Sequence, residues 1–361
     1  MKPIVTPNKI PAGFTAAFAA AVALALSCSP VQADVFTWTQ NSPASQAWTA
    51  AGNWTPNNVF TGNAADDLIF FASATVLLDG INNITGSVPA TLAMNSLTLS
   101  GRGNTATASS VTVNLASSAS TWSTATVNLN GVNNLSNGTP ASGLYLNYNL
   151  AANLTLTQAT TQFTGNGSAE FLVSGNIGEA AAGYAITKTG SSILTLSGTN
   201  AWTGGTSVNG GGLIFRNLAS KAATGTHAFA ANTTVGLGVL GLSGSGFFTA
   251  TDVDNAFANT MTGNLAGITR DAAANIGIDT TDGDFAYSTS IPGSPANGLV
   301  KMGVNTLTLT GTNTYTGLPR CSAARSRWTL SPTADSPAIS GPLLRVRRVS
   351  CWTAARSATR G

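Results

Sequence analysis

From Ile193 to Gly198 the chain reads ILTLSG, with Leu194 and Leu196 alternating against Thr195 and Ser197. A period of two puts one set of side chains on a core and the other in water, which predicts a half-buried strand rather than a helix. Similar short runs lie at 74–78, 96–99, 110–115, 125–129 and 153–156, and 235–242 is a further strand candidate. Gly and Asn separate the runs, and both tolerate the left-handed backbone that turns require. Asn pairs at Asn82-Asn83 and Asn133-Asn134 are placed to hydrogen-bond between stacked turns of chain. Residues 250–298 are the least regular part and hold Asp252, Asp254, Asp271, Asp279, Asp282 and Asp284.

One pattern repeats closely. Residues 186–204 read ITKTGSSILTLSGTNAWTG, and 299–317 read LVKMGVNTLTLTGTNTYTG. Ten positions of these two windows are identical, among them Lys188 and Lys301, Gly190 and Gly303, Leu194 and Leu307, and Asn200 and Asn313. An aromatic residue is kept where Trp202 becomes Tyr315. Such a unit buries its apolar face only against its neighbours, so it predicts a solenoid of stacked coils.

The unit resembles the autotransporter-associated β-strand repeat, also called the passenger-associated transport repeat. That pattern runs K-x-G-x-G-x-L-x-L-x-G-x-N-x-[YFW]-x-G-G-T-x-[VI]-x-x-G-x-L. The copy at 188–215 follows it nearly throughout, through Gly205, Thr206, Val208 and Leu213, and departs from it at Ser192. The resemblance implies a secreted β-helical protein of the passenger region of bacterial surface proteins, with no enzyme activity. It extends to residues 34–71, where Trp38, Trp48, Asn53-Trp54 and Asp66-Asp67-Leu68-Ile69-Phe70 are similar to the start of large secreted proteins with this repeat. Physically, a solenoid needs a cap over its first coil, and bulky tryptophans suit one. A sugar-stacking platform is the other use of such aromatics.

Charged residues are only 8 % of the chain, about a third of the usual share. Regularly spaced Leu, Ile, Val and Phe argue against disorder. Residues 34–317 carry six bases against twelve acids, a net charge of −6, so the body has no basic surface for nucleic acid. Residues 1–33 read as an export signal: Lys2 and Lys9, an apolar stretch over 13–27, and Val31-Gln32-Ala33 as the cleavage site. That stretch is short of the ~20 residues a helical membrane span needs.

After Gly317 the composition changes. Eight arginines fall between Arg320 and Arg360, Cys321 and Cys351 appear, and the second half of the repeat is missing. The expectation is a shifted reading frame near codon 317, which resequencing would test, with the tail 318–361 out of frame. The barrel expected of an autotransporter, with ~10-residue alternating strands, does not follow Gly317.

Catalytic chemistry is sparse. His227 is the single histidine, with no nucleophile motif around Ser220 or Ser243, and is expected at the surface. The run Asp279-Thr280-Thr281-Asp282-Gly283-Asp284 has the oxygen ligands calcium takes, but not EF-hand spacing, and is expected to be a solvated turn. No catalytic, cofactor-binding or metal residue is assigned.

The reading is an all-β chain: a right-handed parallel β-helix over 72–317 with an N-terminal cap at 34–71 and repeats at 186–215 and 299–317. Leu, Val and Ile should point inward and Thr, Ser and Asn outward. The expected function is that of an exported, cell-surface structural or adhesive passenger, not an enzyme. Its expected partners are a host or environmental surface or polysaccharide, and an outer-membrane translocation apparatus or barrel. The alternative is a secreted β-helix that binds or cleaves polysaccharide.

Overall fold

The computed structural model describes residues 33–39, 50–58, 60, 62–72, 90–102, 111–115, 120–132, 146–241, 245–291, 298–311, 320–321, 327–330 and 349–350. Outside them lie the expected export signal up to Gln32, Trp48, the run at 74–78, both Asn pairs, and the turn of the second repeat at 312–317.

From Val35 onward the described strands form three sheets of twelve, nine and four strands. Among them all pairings are parallel except at two outer strands, Trp54–Thr55 on Val35–Trp38 and Val349–Ser350 on Arg327–Leu330. Successive strands of one sheet come from successive coils. Ile186 pairs with Thr206 and Thr206 with His227, so two neighbouring coils have nearly the same length. Towards the N-terminus Leu68 pairs with Leu97 and Leu92 with Trp122, and the coils there are longer by nearly half. The extra length comes from strands that span two faces. Thr121–Val132 pairs first with Asn153–Leu156 and then with Thr160–Thr164. The architecture is a parallel β-solenoid.

The alternation read from the sequence places the core. On the second sheet one interior column runs Phe171, Leu194, Leu213, Val235, Ile276, Leu299, each buried. Burying such side chains stabilises by roughly 1.5–3 kcal/mol each. At the N-terminal end Trp38, Trp54, Phe36, Phe60 and Phe70 pack mostly edge to face over the first coil, with Trp38 and Trp54 centroids 4.9 Å apart. Trp38 and Trp54 are shut in this cluster and offer no open face to a sugar ring.

Three features depart from the sequence expectation. The irregular segment contains a helix, Ala250–Phe257, between the strands Thr234–Gly238 and Ile268–Arg270. Thr249 and Asp252 cap it reciprocally, and Val253, Ala256 and Phe257 turn into the core. The coil that holds it, His227 to Ile268, is nearly double the one before, Thr206 to His227, yet the pairing of the first sheet is unbroken. Second, the exterior of the second sheet is not uniformly polar: Ile214, Val300 and Met302 form a buried cluster with Ile193 beside it. They alternate with the interior residues, and Gly236 and Gly277 between them leave room for Ile214 and Met302 to lean across. Third, the tail is not wholly outside the sheets. Arg327–Leu330 pairs in parallel with Thr306–Leu309, and Arg320–Cys321 with Leu299–Met302.

Asparagine does bridge coils, through its side-chain carbonyl oxygen and through its side-chain amide N–H. The Asn176 N–H donates to Asn153 Oδ1 (2.9 Å) and the Thr199 N–H to Asn176 Oδ1 (2.8 Å). Ser191 N–H donates likewise to Asn166 Oδ1 (2.9 Å). Asn200 spans three coils, accepting from Ile177 N–H at 2.8 Å and donating to the Ser220 carbonyl at 2.7 Å. Asn200→Ala leaves both backbone groups buried and unpaired. It should lower stability by about 2 kcal/mol or more in urea unfolding.

Candidate functional site

The repeat is the feature most specific to this chain, and its corner can be built from the residues upward. Lys188 ends the strand Ala185–Lys188 and sits in an interior column between Phe163 and Val208. Its side chain is fully buried. Nζ donates to the carbonyls of Thr189 (2.7 Å), Gly190 (3.4 Å) and, one coil on, Gly210 (3.4 Å). Those carbonyls turn inward because the chain bends there, and Gly190 makes the bend with φ +70°. An ammonium with three donors satisfies acceptors that neither a strand partner nor water reaches. Burial lowers its pKa to about 8.

The second copy repeats this geometry. Lys301 is fully buried and donates to the carbonyls of Met302 (2.5 Å) and Gly303 (2.8 Å), and Gly303 has φ +74°. Burial lowers its pKa to about 8, against the opposing pull of Asp279 and Asp284. The two copies occupy different faces. In the first, the lysine strand lies in the first sheet and Ile193–Leu196 in the second. In the second, Leu299–Met302 lies in the second sheet and Thr306–Leu309 in the third. The motif therefore encodes a corner between two consecutive faces, not a place in one sheet.

Ser192, where the copy departs from the repeat pattern, has its Oγ buried without a hydrogen-bond partner. Ser192→Ala removes an unsatisfied hydroxyl and should raise stability by roughly 1 kcal/mol, read from the denaturant midpoint.

Two titratable residues singled out in the sequence, His227 and Asp279, are buried where exposure was expected. His227 is not at the surface: it is fully buried in an interior column of the first sheet, between Thr206 and Ile268. Its pKa is lowered, first by burial. Ser220 is no nucleophile for it, because its hydroxyl donates to the Asn217 carbonyl (2.7 Å) within a short helical cap. Ser243 lies outside the described residues.

The aspartate run is solvated over 281–284, where Asp282 and Asp284 are exposed, but not at its start, Asp279. Asp279 is buried on the outer side of the second sheet, where Oδ1 accepts from Thr281 N–H (3.1 Å) and Oγ–H (2.6 Å). Its Oδ2 faces Arg216 Nε at 3.7 Å, beyond hydrogen-bond length, and Asp282 lies 4.0 Å from the same nitrogen. Asp284 accepts from the Thr306 N–H of the next coil (2.6 Å). Other carboxylates have comparable work: Glu179 binds Thr203 (2.7 Å), Asp67 binds Ser96 (2.6 Å) and Asp254 accepts from Tyr287 (2.6 Å). Among the described residues no group of three or more His, Cys, Asp or Glu could hold a metal ion. The inward-facing Lys188, Lys301 and Arg270 were not foreseen as core residues. Lys188 and Arg270 end their strands and Lys301 stands one residue before the end of its own, and the Lys-x-Gly spacing was the available signal for the two lysines.

A family model described as the passenger-associated transport repeat matches residues 186–214 and 299–318. No curated protein and no solved structure matches the chain. The chain thus carries two copies of the passenger-associated transport repeat, and each forms a corner of one β-solenoid closed by a buried lysine, Lys188 in the first and Lys301 in the second.

Proposed function

We propose that this chain is an exported passenger with a structural or adhesive role at the cell surface, and that it is not an enzyme. The observation that carries the reading is the use of the repeat. Both matched copies are spent on coil corners, with their lysine side chains turned into the core rather than out to a ligand. The carboxylates described above hold backbone amides, hydroxyls or Arg216, which supports a scaffold over a hydrolytic site. The export signal at 1–33 supplies the route out of the cytoplasm, and an outer-membrane translocation barrel is the partner the repeat implies. No helix among the described residues is long and apolar enough to cross a membrane.

The chain joined upstream of an outer-membrane barrel, expressed in a Gram-negative host, tests the export half. Protease added to intact cells should cut the solenoid. Cleavage only after lysis would overturn the surface reading. The purified chain incubated with insoluble polysaccharides should release no reducing sugar, and release would overturn the non-enzymatic reading.

A further inference from the structure

We propose that His227 is an acid-operated latch on the coil spanning residues 200–230: neutral, it locks the coil, and on protonation it lets the coil open. This inference is independent of the surface role.

The imidazole lies inside the solenoid and bonds two parts of the chain. Nδ1 is 3.2 Å from Thr206 Oγ1 in the preceding strand of the first sheet, and Nε2 is 3.1 Å from the Ala222 carbonyl, just after the short helix Leu218–Ser220. A carbonyl can only accept, so Nε2 carries the proton in the neutral ring and Nδ1 accepts from the Thr206 hydroxyl. Two aromatic rings close the space: Trp202 at 5.8 Å and Phe215 at 5.3 Å, both edge-on. On its other side stands Ile268. The charged group acting on it is Lys221, a cation, which opposes a second positive charge. No carboxylate is among the groups that shift it.

Protonation therefore places an unbalanced cation in an apolar box beside another cation. Turning the Thr206 hydroxyl round would satisfy the new N–H but would not remove that cost. Because the folded-state pKa is lowered, the unfolded or opened coil binds the proton more readily. The latch is thus closed above the ordinary histidine pKa of about 6.5 and loses strength as pH falls below it. On the first sheet the coil pairs with its neighbours through strands of three residues each, Thr206–Val208 and His227–Phe229, and the imidazole bonds lie at the second of them.

Amide hydrogen exchange of the folded chain at about pH 7 and about pH 5, corrected for intrinsic exchange chemistry, reads this opening. Protection of Thr206–Val208 and His227–Phe229 should fall about tenfold or more at the lower pH, and His227→Gln should abolish the fall. An equal fall in His227→Gln, or no fall in the unaltered chain, would overturn the latch. Should the variant not fold, the ring signals of this single histidine can be titrated by NMR in the unaltered chain. Protonation below the ordinary value, together with loss of protection, supports the proposal. Protonation at the ordinary value with protection intact overturns it.

Discussion

Gly190→Ala is expected to destabilise the chain by about 4 kcal/mol or more, enough to remove much of a typical domain's stability. Two costs coincide. The residue has φ +70°, where an alanine side chain is strained, at about 1–2 kcal/mol. A Cβ there would also lie 2.1 Å from the Gly165 carbonyl oxygen of the preceding coil. That neighbour is backbone held in the stack, so it cannot swing aside. The tight spacing continues along the corner: a Cβ on Gly210 would lie 2.6 Å from the Gly190 oxygen. Gly178→Ala is the matched control. Nothing lies within 4 Å of its Cβ position, so it should be neutral or slightly stabilising. Urea unfolding of both variants checks the contrast. Equal effects would show that the corner is not a close-packed backbone stack.

Raising the pH from about 7 to about 9.5 should stabilise the fold by about 2 kcal/mol for each of Lys188 and Lys301. Burial has lowered both to about 8, whereas the same lysines in the unfolded chain titrate near 10.5. Below the folded value, both states are protonated and the folded state bears the full cost of an enclosed charge. Between the two values the unfolded chain binds more protons, so stability climbs with pH. Lys221, lowered by burial, acts in the same direction. Above about pH 10 the rise is opposed, because burial holds Tyr287 protonated in the fold while tyrosines of the unfolded chain ionise. The denaturant midpoint at the two pH values measures this. Lys188→Met should remove about half of the rise, and a flat profile would mean that the two ammonium groups are solvated.

Period-two alternation around Leu194 and Leu196, and the recurrence of Lys-x-Gly, made the stacked strands legible in the sequence because both signals are local. What lay beyond it was set by register between coils. His227 reads as a polar residue in a Gly/Ala/Thr setting, and only its alignment on Thr206 and Ile268 places it inside. Lys188 likewise shares its column with Phe163 of the coil before and Val208 of the coil after. The outward Ile214 and Val300 were hidden because a strand buried on both sides shows no alternation: Gly212–Phe215 and Leu299–Met302 are buried throughout. The helix was readable. Thr249 and Asp252 stand at capping-box spacing before Val253, Ala256 and Phe257, and the all-β composition drew attention away from them.

Each coil finds most of its partners one turn back along the chain. On the second sheet Leu213 docks on Leu194 and Val235 on Leu213, and the coil with the helix only stretches the interval to Ile276 on Val235. Assembly can then proceed in chain order, with every finished coil serving as the template for the next and loop closure costs staying small and similar at each step. A chain delivered end first through a narrow opening needs no distant segment in order to begin folding. Successive docking of coils on the emerging side would also hold back retrograde sliding, so the stack itself can act as a ratchet.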